Sequence, residues 1–132
     1  MKNILNIINT EMKSAGIDYH FQENKKSPPT YPYFVGELIP VVTDSEDGVK
    51  EFTMILDGFT RQTAQSSGDL LELLDAADII ETHFPVVGGF RTVVDNQAIV
   101  IYFVGCQPID SGDEQLNKIE ITLQIKSWKG SI

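Results

Sequence analysis

Hydrophobic residues recur along this chain with two periods, and the switches between them mark the elements. Ile4, Leu5, Ile8, Met12 and Ala15 repeat at steps of three and four, which predicts an amphipathic helix over 3–15. Asn3 is its candidate N-cap, and Gly16 suits the left-handed position just past its end. The period then drops to two. Ile17, Tyr19 and Phe21 share one face of a short strand over 17–23. A polar, proline-containing loop runs from Asn24 to Thr30, and Pro32 holds Tyr31 extended. Tyr33 to Thr43 reads as a strand in which Pro40 marks an edge, a bulge or a strand end. Asp44-Ser45-Glu46-Asp47-Gly48 is an acidic turn. Glu51 to Thr60 resumes the strand pattern, with Phe52, Met54 and Leu56 on one face and Ile55 and Phe59 on the other, so a hairpin is expected.

The helical period returns in Leu70, Leu73, Leu74, Ala77, Ile80 and Phe84. A second helix is expected from about Ala64 to Thr82, its start blurred by Ser66-Ser67-Gly68 and its end enforced by Pro85. Glu81 falls inside its apolar stripe. Phe90 to Val94 and Gln97 to Val104 are strands around Asp95-Asn96, a pair suited to a tight hairpin turn. After a polar loop from Asp110 to Gln115, Lys118 to Trp128 alternates. Ile119, Ile121, Leu123 and Ile125 face one way, and Glu120, Thr122, Gln124 and Lys126 the other.

The order is therefore α-β-β-β-α-β-β-β. Short connections make consecutive strands antiparallel, and two helices most simply share one face of the sheet. The expected class is α+β, a mainly antiparallel sheet with both helices on one face, in a single domain over 1–132.

Composition and charge narrow what such a domain does. With 132 residues, 42% of them hydrophobic, the chain can bury a core without a disulfide or metal staple. Its only cysteine, Cys106, ends a very apolar run and reads as an inert buried thiol. The first residues do not form a signal-peptide core, and no stretch is long enough to span a bilayer, so the expected location is the cytoplasm of the producing cell. Ten basic residues stand against nineteen acids, giving a net charge of −9. Phosphate binding needs clustered Lys and Arg, so sequence-independent nucleic-acid binding is not expected. An acidic wall past which nucleic acid slides is compatible with the charge.

Catalytic patterns are missing. Gly88-Gly89 lacks the lysine of a phosphate loop and leads into a strand, and there is no dinucleotide fingerprint. His20, His83 and Cys106 include no short-spaced pair of zinc ligands. Counted from Asp44, the sixth residue of a calcium loop would be Val49 and the twelfth Ile55, so the pattern fails. Asp110, Asp113 and Glu114 are a second solvated acidic loop. No Gly-x-Ser-x-Gly elbow exists, and His83 suits the negative end of a helix better than catalysis. The expectation is a non-enzyme with no catalytic residue, cofactor or metal.

What is left is surface. Gln97 to Val104 is apolar on both faces, with Ala98, Val100, Tyr102 and Val104 on one and Ile99, Ile101 and Phe103 on the other. Helices on one face would cover one row. The other row needs the rest of the chain or a neighbouring subunit. Tyr31, Tyr33, Phe34, Ile101 and Phe103 are thus the candidate subunit-contact residues, with core packing as the competing explanation for each.

Tyr31-Pro32-Tyr33-Phe34-Val35-Gly36-Glu37, then Phe52-Thr53, then Gly58-Phe59-Thr60-Arg61 before a helix, resembles the tail terminator family of long-tailed phages of Gram-positive bacteria, also called minor capsid or tail-component proteins. The element order is similar over nearly the whole chain. Gln62 to Gly68 departs from the family as an insert. The resemblance implies a homo-oligomer, a hexameric ring that ends tail-tube growth and docks to the head-connector protein. It implies partners in the tail-tube protein and the connector, passage of DNA without specific binding, and no cofactor, reaction or membrane. The location would be the head-proximal end of the virion tail, after assembly in the host cytoplasm. The rivals are a head-closure or head–tail connector subunit, a small enzyme using His83 and nearby acids, and a cytosolic ligand-binding module.

Overall fold

The computed structural model describes residues 1–41, 48–64 and 66–129. Its first helix, α1 (Lys2–Ser14), buries Ile4, Ile8 and Met12, the stripe that the three–four spacing marks. Asn3 does not cap it. The cap position is Met1, with no side-chain bond, and Asn3 lies inside the first turn, where its Nδ2 donates to Gln97 Oε1 at 3.1 Å. Gly16 takes φ +76° directly after Ala15, as the sequence suggests.

The first strand, β1 (Tyr19–Phe21), is shorter than the alternation over 17–23, and it pairs with β2 (Tyr33–Val41) in parallel. That corrects the antiparallel expectation. A hairpin needs a tight turn, whereas the long loop between these strands returns the chain to the start of the sheet. The third strand, β3 (Val49–Arg61), runs antiparallel to β2 over the whole of β2. Asp44 to Asp47 of the acidic turn between them, and Val42 and Thr43, lie outside the described residues.

Helix α2 (Leu70–His83) begins at Leu70, not near Ala64, and Asp69 is its N-cap, accepting from the Glu72 amide. Leu73, Ala76, Ala77 and Ile80 form its buried row, while Glu81 is exposed and lies outside it. The hairpin of β4 (Phe90–Val94) and β5 (Gln97–Ile109) turns on Asp95 and Asn96, both with positive φ (50° and 63°), which matches the strand twist. β5 continues past Val104 through a bulge between Phe103 and Gly105, because β6 (Leu116–Lys129) keeps pairing with it.

The sheet order is β1-β2-β3-β6-β5-β4, all neighbours antiparallel except β1 and β2. The last strand in sequence thus sits at the centre. Both helices cover one face, as expected. Under them lie Met54 and Leu56 of β3, Ile121 and Leu123 of β6, and Ile99 and Ile101 of β5, each no more than 2% exposed. Burying each such side chain contributes about 1.5–3 kcal/mol.

Pro40 shows how the outer edge is built. The Phe34 amide donates to the Asp18 carbonyl, and the Gly36 carbonyl accepts from the Gln22 amide. Those alternate positions of β2 aim their main-chain groups away from β3. Pro40 shares that orientation, so its missing N–H costs the β2–β3 ladder nothing.

Candidate interaction surface

The face of the sheet opposite the helices carries no layer of its own among the described residues. Alternation along five strands decides what it presents. At one end, Tyr33 of β2 lies beside Phe59 of β3, and Phe59 beside Lys118 of β6, in one cross-strand row. The Tyr33 and Phe59 rings are 5.2 Å apart, and Tyr31 adds a third ring 5.5 Å from Tyr33. The Lys118 ammonium sits 5.5 Å from the Phe59 centroid, within range of a cation–π attraction. Burial, then the neighbouring Tyr31, raises the Tyr33 phenol above its ordinary value. Arg61 closes this end by binding Asp113 at 2.6 Å, tying the strand to the loop before β6.

The two short motifs behind the family resemblance meet here. Phe34 pairs with Gly58, and Tyr33 with Phe59. A Cβ on Gly58 would overlap the Phe34 ring, so this glycine lets the ring lie across β3 on the core side. One pair of strands therefore buries Phe34 inward and shows Tyr33 and Phe59 outward.

The middle of the face is acidic. Asp57 lies between Val35 and Glu120 across the strands, and Glu37 is one step along. Burial, followed by the Glu120 and Glu37 carboxylates, raises the Asp57 carboxyl against the lowering effect of Lys118. Its Oδ1 is shielded from solvent without a hydrogen-bond partner. At the far end the face turns apolar. Val93, Ala98, Val100 and Trp128 line an open cleft of about 400 Å³.

Of the candidate contact residues, the structure brings together Tyr31 and Tyr33, half-buried on this face. Phe34, Ile101 and Phe103 are corrected: they are 1%, 0% and 6% exposed, on the helix-covered side, and belong to the core. The row of β5 that faces outward is Ala98, Val100 and Tyr102. Cys106 is half-buried rather than interior. Burial, then the Asp78 carboxylate, pushes its thiol up, which disfavours the reactive thiolate.

A second polar cluster went unread in the sequence. The Glu72 carboxylate accepts from Ser66 Oγ and Ser67 Oγ at 2.8 Å, from the Gly68 amide at 3.0 Å and from Thr60 Oγ1 at 3.5 Å. Burial alone would raise this carboxyl, but those hydrogen bonds outweigh it and hold it below the usual range. A carboxylate so stabilised is a weak base, so the serines beside it are clipped in place, not activated. Gly68, at φ +73°, is pressed against the Gln62 backbone and admits no side chain. The cluster folds the Gln62–Gly68 segment back onto the start of α2. The signal for it was Asp69-x-x-Glu72, the spacing of a capping box.

His20 pairs with Asp18 at 2.8 Å and His83 with Glu11 at 3.0 Å, the latter joining the two helices. Among the described residues no group of three or more His, Cys, Asp or Glu side chains is placed to hold a metal ion. No helix is long and apolar enough to cross a membrane.

These observations define an α+β protein with one sheet face left open, and comparison with known proteins stops at that class. No family model matches the sequence, and no curated protein does. Twelve chains of solved structures match. One, whose name states no function, is similar with a TM-score of 0.66 and 14% identity, over 94% of this chain and 89% of its own. At that identity the likeness shows the fold alone.

Proposed function

We propose that this chain is a structural subunit of a phage tail, a terminator whose copies form a hexameric ring that caps the tail tube and joins it to the head connector. The observation that carries the reading is the pairing of Tyr33 with Phe59 and of Phe34 with Gly58. The stretches on which the family resemblance rests form one unit, which anchors Phe34 in the core and exposes a row of aromatic rings on a sheet face without helices. Aromatic rings held rigidly on a strand give contact area at low entropic cost, as a ring subunit needs. The net charge of −9 suits a wall past which DNA moves without sticking. The ring would act sterically, by presenting a surface complementary to the last tube ring, with no chemical step and no cofactor.

The test mixes the purified protein with tail-tube subunits and follows particle mass and images. Capped tubes bearing a ring of this chain support the proposal, and Tyr33→Ala together with Phe59→Ala should prevent capping. A chain that stays monomeric both alone and with tube protein sinks it. Labelling on free tails, as opposed to heads lacking tails, separates a terminator from a head-closure subunit.

A further inference from the structure

Among the described residues the sheet has free edges on both sides, and they are not equivalent. β1 covers only Phe34 to Gly36 of β2, and the rest of that edge carries Pro40, which offers no donor. Past β4, the outer side of β5 is blunted by the bulge after Phe103 and by Pro108. β4 has no proline and no bulge. Val93, on its outward face, is 70% exposed.

The turn fixes which groups β4 leaves unpaired. A two-residue turn makes Val94 and Gln97 a hydrogen-bonded pair, and the pattern then repeats at Thr92 with Ile99 and at Phe90 with Ile101. The main-chain N–H and C=O of Arg91 and Val93 therefore point away from β5, where no described strand meets them. Each needs a partner or water.

We propose that β4 is a self-pairing edge, which joins β4 of a second copy of this chain antiparallel about a two-fold axis through Thr92. In that register Arg91 of each copy lies opposite Val93 of the other. Every outward N–H and C=O of the two residues then meets its complement. Among the described residues, the exposed stretches of β2 and β5 lack donors at Pro40 and Pro108, and β1 at the far edge is only three residues long, so none offers as long a match. Charge is mixed in this register: the two Arg91 side chains lie diagonal to each other across the axis, while each also gains an opposite charge. Arg91 becomes the diagonal neighbour of Asp95 of the other copy, at about 7–8 Å between backbones and within reach of a long side chain. Two-fold symmetry makes that pair twice. The aliphatic stem of Arg91 covers the exposed Val93, beside the apolar cleft that ends at Trp128. On the helix side, α1 flanks β4 with Asn3, Asn6, Thr10 and Glu11, and the Glu11 carboxylate is paired with His83 at 3.0 Å. A two-fold pair closes on itself and needs no tail component, so this inference stands apart from the ring reading.

The test is sedimentation equilibrium of the full chain alone over a wide concentration series. Wild type should dimerise with rising concentration. Val93→Pro removes an outward donor without touching the β5 ladder, and should weaken the dimer by at least about tenfold, since net hydrogen bonds contribute about 1 kcal/mol each. A second measurement guards against misfolding of that variant. In a Cys106→Ser background, Thr92→Cys should form a disulfide-linked dimer on mild oxidation, because opposed side chains of a non-hydrogen-bonded pair lie close, and Arg91→Cys should not. A chain monomeric at every concentration, a dimer that folded Val93→Pro leaves intact, or a Thr92→Cys variant that does not cross-link overturns the proposal.

Discussion

The two faces of the central strands were drawn from the same alternation, yet they have opposite characters. On one face of β3 and β6, Met54, Leu56, Ile121 and Leu123 are sealed under the helices. On the other, Ile55, Asp57, Glu120 and Thr122 alternate with them, none fully buried. The first face is held by packing, where each methylene counts. The second is held by cross-strand pairs and long side chains, where single residues count little for stability and more for what the surface can meet. The difference teaches that the packing which holds the sheet lies on one side of it, while the proposed contact surface lies on the other, and mutations should separate the two.

The largest effect should come from the sealed face. Leu123→Ala is expected to cost about 2–5 kcal/mol, read as a lower urea midpoint at unchanged slope. A loss under about 1 kcal/mol would mean that the sheet centre is not packed as described.

The Glu72 clip stands next. Glu72→Gln should cost about 1–3 kcal/mol, because the segment's hydroxyls and amide lose a charged acceptor. This carboxyl lies below its usual 4.5 in the folded state. Its contribution is therefore fully present above that value and is lost as pH falls toward and through the folded value. Acid titration of the melting temperature should be shallower in Glu72→Gln than in wild type; equal slopes would remove the clip.

On the open face, Tyr33→Ala should cost only about 1 kcal/mol in the isolated chain, the scale of an aromatic pair, while disrupting assembly. A loss as large as that of Leu123→Ala would make Tyr33 a core residue. The smallest effect belongs to Asp57. Its carboxyl is raised from 3.8, so the native state holds its proton more tightly and stability falls as pH rises through that raised value, opposite in sign to Glu72. Asp57→Asn should be neutral or stabilising by up to about 0.5 kcal/mol at pH 7. A clear destabilisation would show that the charge has a partner.

Much of the architecture was legible in the residues. The three–four spacing marked the buried row of α1, and the Asp95-Asn96 pair marked the β4–β5 turn. Asp69-x-x-Glu72 could have placed the start of α2. The candidate surface was half legible. Tyr31 and Tyr33 sit on the open face, but Phe34, one residue along, is necessarily on the other side of the same strand.

The sequence by itself determined the order of helices and strands, the acidic balance and the alternation within each strand, because these depend on local propensity and on counting. Only the tertiary structure decided the rest. Alternation has a period but no sign, so β5, apolar on both sides, could have buried either row; the helices settled it in favour of Ile99, Ile101 and Phe103. Pairing depends on partners far away in sequence, so neither the parallel β1 nor the central place of β6 could be read locally. For the same reason only the assembled sheet distinguished the edges carrying Pro40 and Pro108 from the open one at β4.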